Sequence, residues 1–169
     1  MTAPETHADG VAAAVRRYRT LCAESGVEPK DTVAEAVGEW ARGGHRVFSY
    51  VGRLPRHFNH RITAQDAPSL CALLAPHIAS LEALDLSNNQ LTAAAMDILA
   101  PLLTAAQGLQ RLNLQHNWIE DGCTPLLTAL SSAADQRALL YLNLEGCRLR
   151  KDCSLPDRRH PAITVRRSG

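Results

Sequence analysis

Between Leu81 and Leu149 one spacing of residues recurs three times, and that recurrence leaves few folds open to the chain. Leu81, Leu84, Leu86, Asn89 and Leu91 follow L-x-x-L-x-L-x-x-N-x-L. Leu109, Leu112, Leu114, Asn117 and Ile119 repeat it, and so do Leu139, Leu142, Leu144, Cys147 and Leu149. The period is 28 residues and then 30. Self-similarity at a fixed period of this length marks stacked units, none of which can bury its apolar face alone.

Each position in the pattern has a physical reading. Leu84 and Leu86 flank Asp85, which describes a short strand with one buried face. Leu112 and Leu114 flank Asn113 in the same way, and Leu142 and Leu144 flank Asn143. After each strand the chain must turn, leaving backbone groups without ladder partners. A buried Asn can donate to and accept from those groups, so Asn89 and Asn117 are expected to form a ladder. Cys147 can do this only weakly, which predicts a looser or terminal third turn.

The rest of the chain is organised around these units. Residues 1–10 read as disordered. Val15, Tyr18, Leu21 and Cys22 share one face of a helix over about 11–25, and Val33, Ala36, Val37 and Trp40 share a face of a second, ended by Gly43-Gly44. Residues 11–44 are thus an expected N-terminal helical cap, and residues 45–149 the repeat region. Val47 to Val51 is strand-like, with an expanded turn from Gly52 to Arg61. Ala67 aligns with Ala95 and Cys123, Leu70 with Ile98 and Leu126, and Leu74 with Leu102 and Leu130. These columns predict helices packed on the strands. Thr63, Thr92 and Asp121 stand where N-caps are needed, and Pro76 and Pro101 predict short or kinked helices. Residues 150–169 read as a basic, irregular tail.

The three matches resemble the ribonuclease-inhibitor type of leucine-rich-repeat protein, over about residues 46–149. That resemblance implies an α/β fold: a short solenoid with a curved parallel sheet inside and helices on the convex side. The segment Phe58 to Asp66, ahead of Leu81 to Leu86, is also similar to the opening of the leucine-rich repeat-containing protein thirty-four group. Members of that group are non-enzymatic interaction proteins. The chain departs from them in having few repeats and no recognisable helix after Leu149.

Repeat proteins of this kind bind with the concave face of the sheet, so outward strand positions are the candidates. One row is Ala83, Arg111 and Tyr141, the next is Asp85, Asn113 and Asn143, and a third is Ser87, Gln115 and Glu145. Arg111 and Tyr141 are residue types that dominate interfaces. Trp118, just after Asn117, is either an interface anchor or a lid over the turn. The candidate partner-binding set is therefore Arg111, Asn113, Tyr141, Asn143, Asp85 and Trp118. The expected partner is a protein.

Other chemistry finds little support. No phosphate-binding loop, dinucleotide fingerprint, nucleophile elbow or H-E-x-x-H motif occurs, so neither an enzyme nor a cofactor is expected. His57-x-x-His60, with His45 nearby, lacks a fourth ligand and reads as a solvated loop, so no metal is expected. Of the five cysteines, Cys22, Cys71 and Cys123 read as small core residues, while Cys147 and Cys153 are a pair that a folded-back tail could join. A net charge of +1 gives no global pull toward nucleic acid or membrane. No apolar run reaches membrane-spanning length and residues 1–10 lack a signal-peptide core, so the expected compartment is cytoplasmic or nuclear. Residues 145–169 hold seven Arg and Lys against three Asp and Glu, a surplus of +4. An RNA-binding accessory protein using Arg53, Arg56, Arg61 and this tail is the alternative. A GTPase-activating protein is a lesser one, since it would need more repeats and an acidic tail. Finally, the apolar strand of Leu142 and Leu144 has no following repeat, which predicts weak self-association through an open C-terminal edge.

Overall fold

The computed structural model describes residues 7–131, 139–149 and 164–166. Helix α1 spans His7–Glu24 and α2 spans Asp31–Arg42. The first begins inside the stretch expected to be disordered. Alanine-rich sequence from Ala8 to Ala14 favours helix, and Asp9 places negative charge at the positive end of the helix dipole. Tyr18, Leu21, Cys22, Val33, Val37 and Trp40 are all buried, the faces that the helical spacing selects.

Strands β1 (Val47–Ser49), β2 (Ala83–Asp85), β3 (Arg111–Asn113), β4 (Tyr141–Asn143) and β5 (Thr164–Arg166) form one parallel sheet in chain order. Phe48, Leu84, Leu112 and Leu142 lie side by side in register and are all buried. Helices α3 (Ala67–Leu74), α4 (Ala93–Ala105) and α5 (Cys123–Ser131) follow β1, β2 and β3 and close the core from one side. Strand-then-helix units in parallel register make an α/β repeat fold. The sheet is not curled, unlike the curvature expected of it. Curvature accumulates from a small rotation at each repeat, and five three-residue strands accumulate little.

The turns repeat as strictly as the strands. Asn88, His116 and Gly146, one in each repeat, all take left-handed backbone conformations, with φ of 58°, 54° and 68°. Each turns the chain out of the sheet just before the ladder residue. A side chain at Gly146 would collide with the ring of His116, so glycine lets the last two turns nest.

Several local expectations need correcting. Helix α3 starts at Ala67 rather than after Thr63: Thr63 donates its N–H (2.8 Å) and its hydroxyl (2.9 Å) to the Asp66 carboxylate just before the helix. Thr92 flanks α4 but makes no side-chain capping bond. The expanded turn after β1 contains a 3-10 helix, Pro55–His60. Pro76 stands where α3 gives way to a second 3-10 stretch, Ala75–Ser80, while Pro101 lies within α4. The largest correction is at the C-terminal side. β4 is not the outer strand, because β5 pairs with it in parallel register, Tyr141 opposite Thr164 and Asn143 opposite Arg166. The edge expected to be open at β4 is therefore covered, and β5 is the last strand of the sheet. The stretch expected to be irregular supplies that strand; the rest of it, and Cys153, lie outside the described residues.

Candidate interaction surface

Parallel register fixes which outward side chains become neighbours. Val47, Ala83, Arg111 and Tyr141 are consecutive Cα partners across β1 to β4, at a strand spacing of about 4.8 Å. Arg111 is exposed and Tyr141 half-buried beside it. Among the described residues Arg111 has no carboxylate partner. Val47, exposed on β1, continues this row with apolar surface.

The second row is occupied by bonds of its own. The Asp85 carboxylate accepts the backbone N–H of Ser87 (2.9 Å) and the side-chain amide of Asn113 (2.9 Å). The Asn113 side-chain oxygen accepts the N–H of Gln115 at 3.3 Å, and that of Asn143 accepts the N–H of Glu145 at 3.1 Å. Asn143 also donates to the Gln115 side chain at 2.9 Å. One motif thus recurs in three repeats: the last strand residue accepts the N–H two positions on, and so begins the turn. Asn143 is only 3% exposed, so as a candidate for partner contact it presents almost no surface. Ser87, in the third row, is buried too. Alternation along a strand does not reveal this burial, since Asp85 and Asn113 make the same bond and stay half-buried.

Beneath the turns runs the asparagine ladder. Asn89 donates to the carbonyls of Tyr50 (2.8 Å) and Leu86 (2.9 Å), and its side-chain oxygen accepts the N–H of Ile62 at 2.9 Å. Asn117 repeats the arrangement one unit on, donating to Leu86 and Leu114 and accepting from Leu91 at 3.0 Å. Cys147 keeps the bond to the preceding repeat, its thiol donating to Leu114 at 3.0 Å. Burial pushes this thiol up to about 11, so it stays protonated and able to donate.

Trp118 lies on the turn rim, 43% exposed, with the Arg148 guanidinium 5.8 Å from its ring centre. In the turn after β1, Arg61 lies over the ring of Phe58 at 4.2 Å. Of the arginines proposed for nucleic acid, Arg56 is paired with Glu35 at 3.2 Å.

One histidine of the loop expected to be solvated departs from that expectation. His57 is buried, its Nδ1 lies 3.0 Å from the Val51 carbonyl, and its ring stacks on Tyr50 at 4.3 Å. His57 thus anchors the loop to the core, while Phe58, Asn59 and His60 stay exposed. His45 and His77 stack on each other at 3.7 Å, and both meet Trp40 edge to face. This contact ties the turn after α2 to the segment ahead of β2. Among the described residues no group of three or more His, Cys, Asp or Glu could hold a metal ion, and no helix is long and apolar enough to cross a membrane.

No curated protein matches this chain. The family model described as leucine rich repeat matches residues 77–97 and 107–122, the segments that contain β2 and β3. The chain therefore carries two leucine-rich repeats, set in an α/β repeat fold.

Proposed function

We propose that this chain is a non-enzymatic protein-interaction module whose outer sheet face meets a partner protein. Leucine-rich repeats commonly mediate protein–protein interaction. The observation that carries the reading is the in-register row of Val47, Ala83, Arg111 and Tyr141, in which an arginine without a carboxylate partner stands beside a half-buried tyrosine. Arg111 and Tyr141 make the contact, Asp85 and Asn113 brace the strand ends beneath it, and Trp118 borders it at the turns. Asn143 serves the scaffold. In this reading the repeats stack as a short solenoid of the ribonuclease-inhibitor type, with α1 and α2 capping its first face. The helix after each of β1, β2 and β3 supports that subtype.

A photo-crosslinking amino acid tests the reading. Placed at Ala83, it is expected to capture a protein partner from the native source. Placed at Asp97, exposed on α4, it is expected to capture none. Capture from Asp97 alone would assign the interface to the helices and contradict the proposal.

A further inference from the structure

The turn rim carries a second row of side chains, separate from the sheet face. Gln90 and Trp118 each follow a ladder asparagine. Their N–H groups bond equivalent carbonyls of the preceding unit, Ile62 at 2.9 Å and Leu91 at 2.8 Å. Ile62 and Leu91 in turn donate to the ladder oxygens of Asn89 and Asn117. Ile62 is therefore the structural equivalent of Leu91, and Arg61, just before it, the equivalent of Gln90. Arg148, following Cys147, completes the column: Arg61, Gln90, Trp118 and Arg148. The bridges pair Gln90 with Thr63 and Trp118 with Thr92, so successive members of the column are offset along the chain and do not stand directly opposite one another.

Each end of this column carries an arginine beside an exposed aromatic ring. The Arg61 guanidinium carbon lies 4.2 Å from the ring centre of Phe58, itself 58% exposed, and that of Arg148 lies 5.8 Å from the ring centre of Trp118. Among the described residues neither arginine has a carboxylate partner. Arg61 also donates its Nε–H to the Gly52 carbonyl at 3.4 Å, which holds the guanidinium in place and leaves its terminal nitrogens for a ligand. It thereby loses less freedom when it forks onto a carboxylate. Between the two forks stand exposed aromatic surface and a neutral amide. Two fixed cations separated by apolar surface, with no carboxylate in the column, are complementary to an extended acidic peptide carrying an apolar residue between its carboxylates. A nucleic-acid strand fits less well. Two cations neutralise few phosphates.

We propose that the rim formed by Arg61, Gln90, Trp118 and Arg148, with Phe58, binds an extended acidic, apolar-centred segment of a protein partner. This rests on the protein-binding reading above but uses a different face. Tryptophan emission reports it directly, because the chain has only two tryptophans and Trp40 is buried. The full chain is titrated with a synthetic peptide of Asp and Glu around a central Leu. A saturable change in emission is expected, with affinity falling about tenfold or more in the Arg61→Gln, Arg148→Gln variant. The Arg16→Gln, Arg17→Gln variant on α1 should bind as the wild type does, which separates the rim from bulk charge. Circular dichroism confirms folding, and the two single variants, each expected to lose part of the affinity, stand in if the double variant unfolds. Equal affinity in the rim variants, no saturable binding by the wild type, or tighter binding of oligothymidylate than of the peptide at equal salt would overturn the proposal. The Arg111→Ala, Tyr141→Ala variant keeps the two readings apart. It should bind the peptide normally, so loss of peptide binding there would contradict the rim assignment, whereas undiminished binding of the native partner there would contradict the sheet-face reading.

Discussion

The side-chain amide of Asn117 donates to the carbonyl of Leu86, one repeat away, at 2.9 Å. The same nitrogen donates to Leu114 in its own repeat at 2.8 Å, while the oxygen holds the N–H of Leu91 at 3.0 Å. One buried residue thus satisfies groups from two successive units. Asn117→Leu would leave these groups unpaired without emptying much volume, at a cost of about 1–3 kcal/mol. A lowered midpoint in chemical denaturation is expected. An unchanged midpoint would show that the ladder contributes no stability.

Gly52 tests how closely the first two units approach. A Cβ there would overlap the carbonyl oxygen of Asn88, which is backbone and cannot swing aside. Gly52→Ala must therefore push β1 from the turn after β2, and overpacking of this kind costs about 1–3 kcal/mol. For a chain of this size each kcal/mol lowers the melting temperature by about 2–4 °C, which a thermal melt resolves. Gly10→Ala, where nothing lies near the added carbon, is the control and should leave the melt unchanged or slightly raise it.

The stacked histidines predict a dependence on pH. Burial, and then the neighbouring His77, hold the His45 imidazole below its ordinary value. The unfolded chain therefore takes up a proton at His45 more readily than the folded one does. The stability linked to His45 is present above its unfolded value, and is lost as pH falls through its folded value. In an NMR titration His45 should protonate at lower pH than a free histidine. His77→Gln should shift it part of the way back and leave the effect of burial. An unshifted His45 in the variant would show that His77 exerts no electrostatic influence on it.

Much of this architecture is legible in the sequence, and its limits have physical causes. The alternation of Leu84, Leu112 and Leu142 with polar residues selects the buried face, and the repeat period sets the register that aligns Ala83 with Arg111 and Tyr141. Asn117 is recognisable because a recurring polar residue amid leucines needs a reason to be buried. The strand at Thr164–Arg166 is not recognisable, since three residues with one aliphatic at the centre carry too little pattern to stand out. Asn143 misleads for a different reason: its strand position and its turn bond match those of half-buried Asp85 and Asn113, so nothing local marks it as buried. His57 is equally illegible, because its burial depends on a loop closing over Tyr50 and not on any local spacing.

The most direct test of the sheet-face reading is a calorimetric titration of the captured partner into the wild type and the Arg111→Ala, Tyr141→Ala variant. Truncating two contact residues of these types should weaken binding by at least about tenfold, or about 1.4 kcal/mol, because interface arginines and tyrosines carry a large share of binding energy. The denaturation midpoint should stay where it is, since exposed Arg111 and half-buried Tyr141 belong to no buried network among the described residues. Weaker binding with unchanged stability is the predicted result; equal affinity in the two proteins would contradict the account.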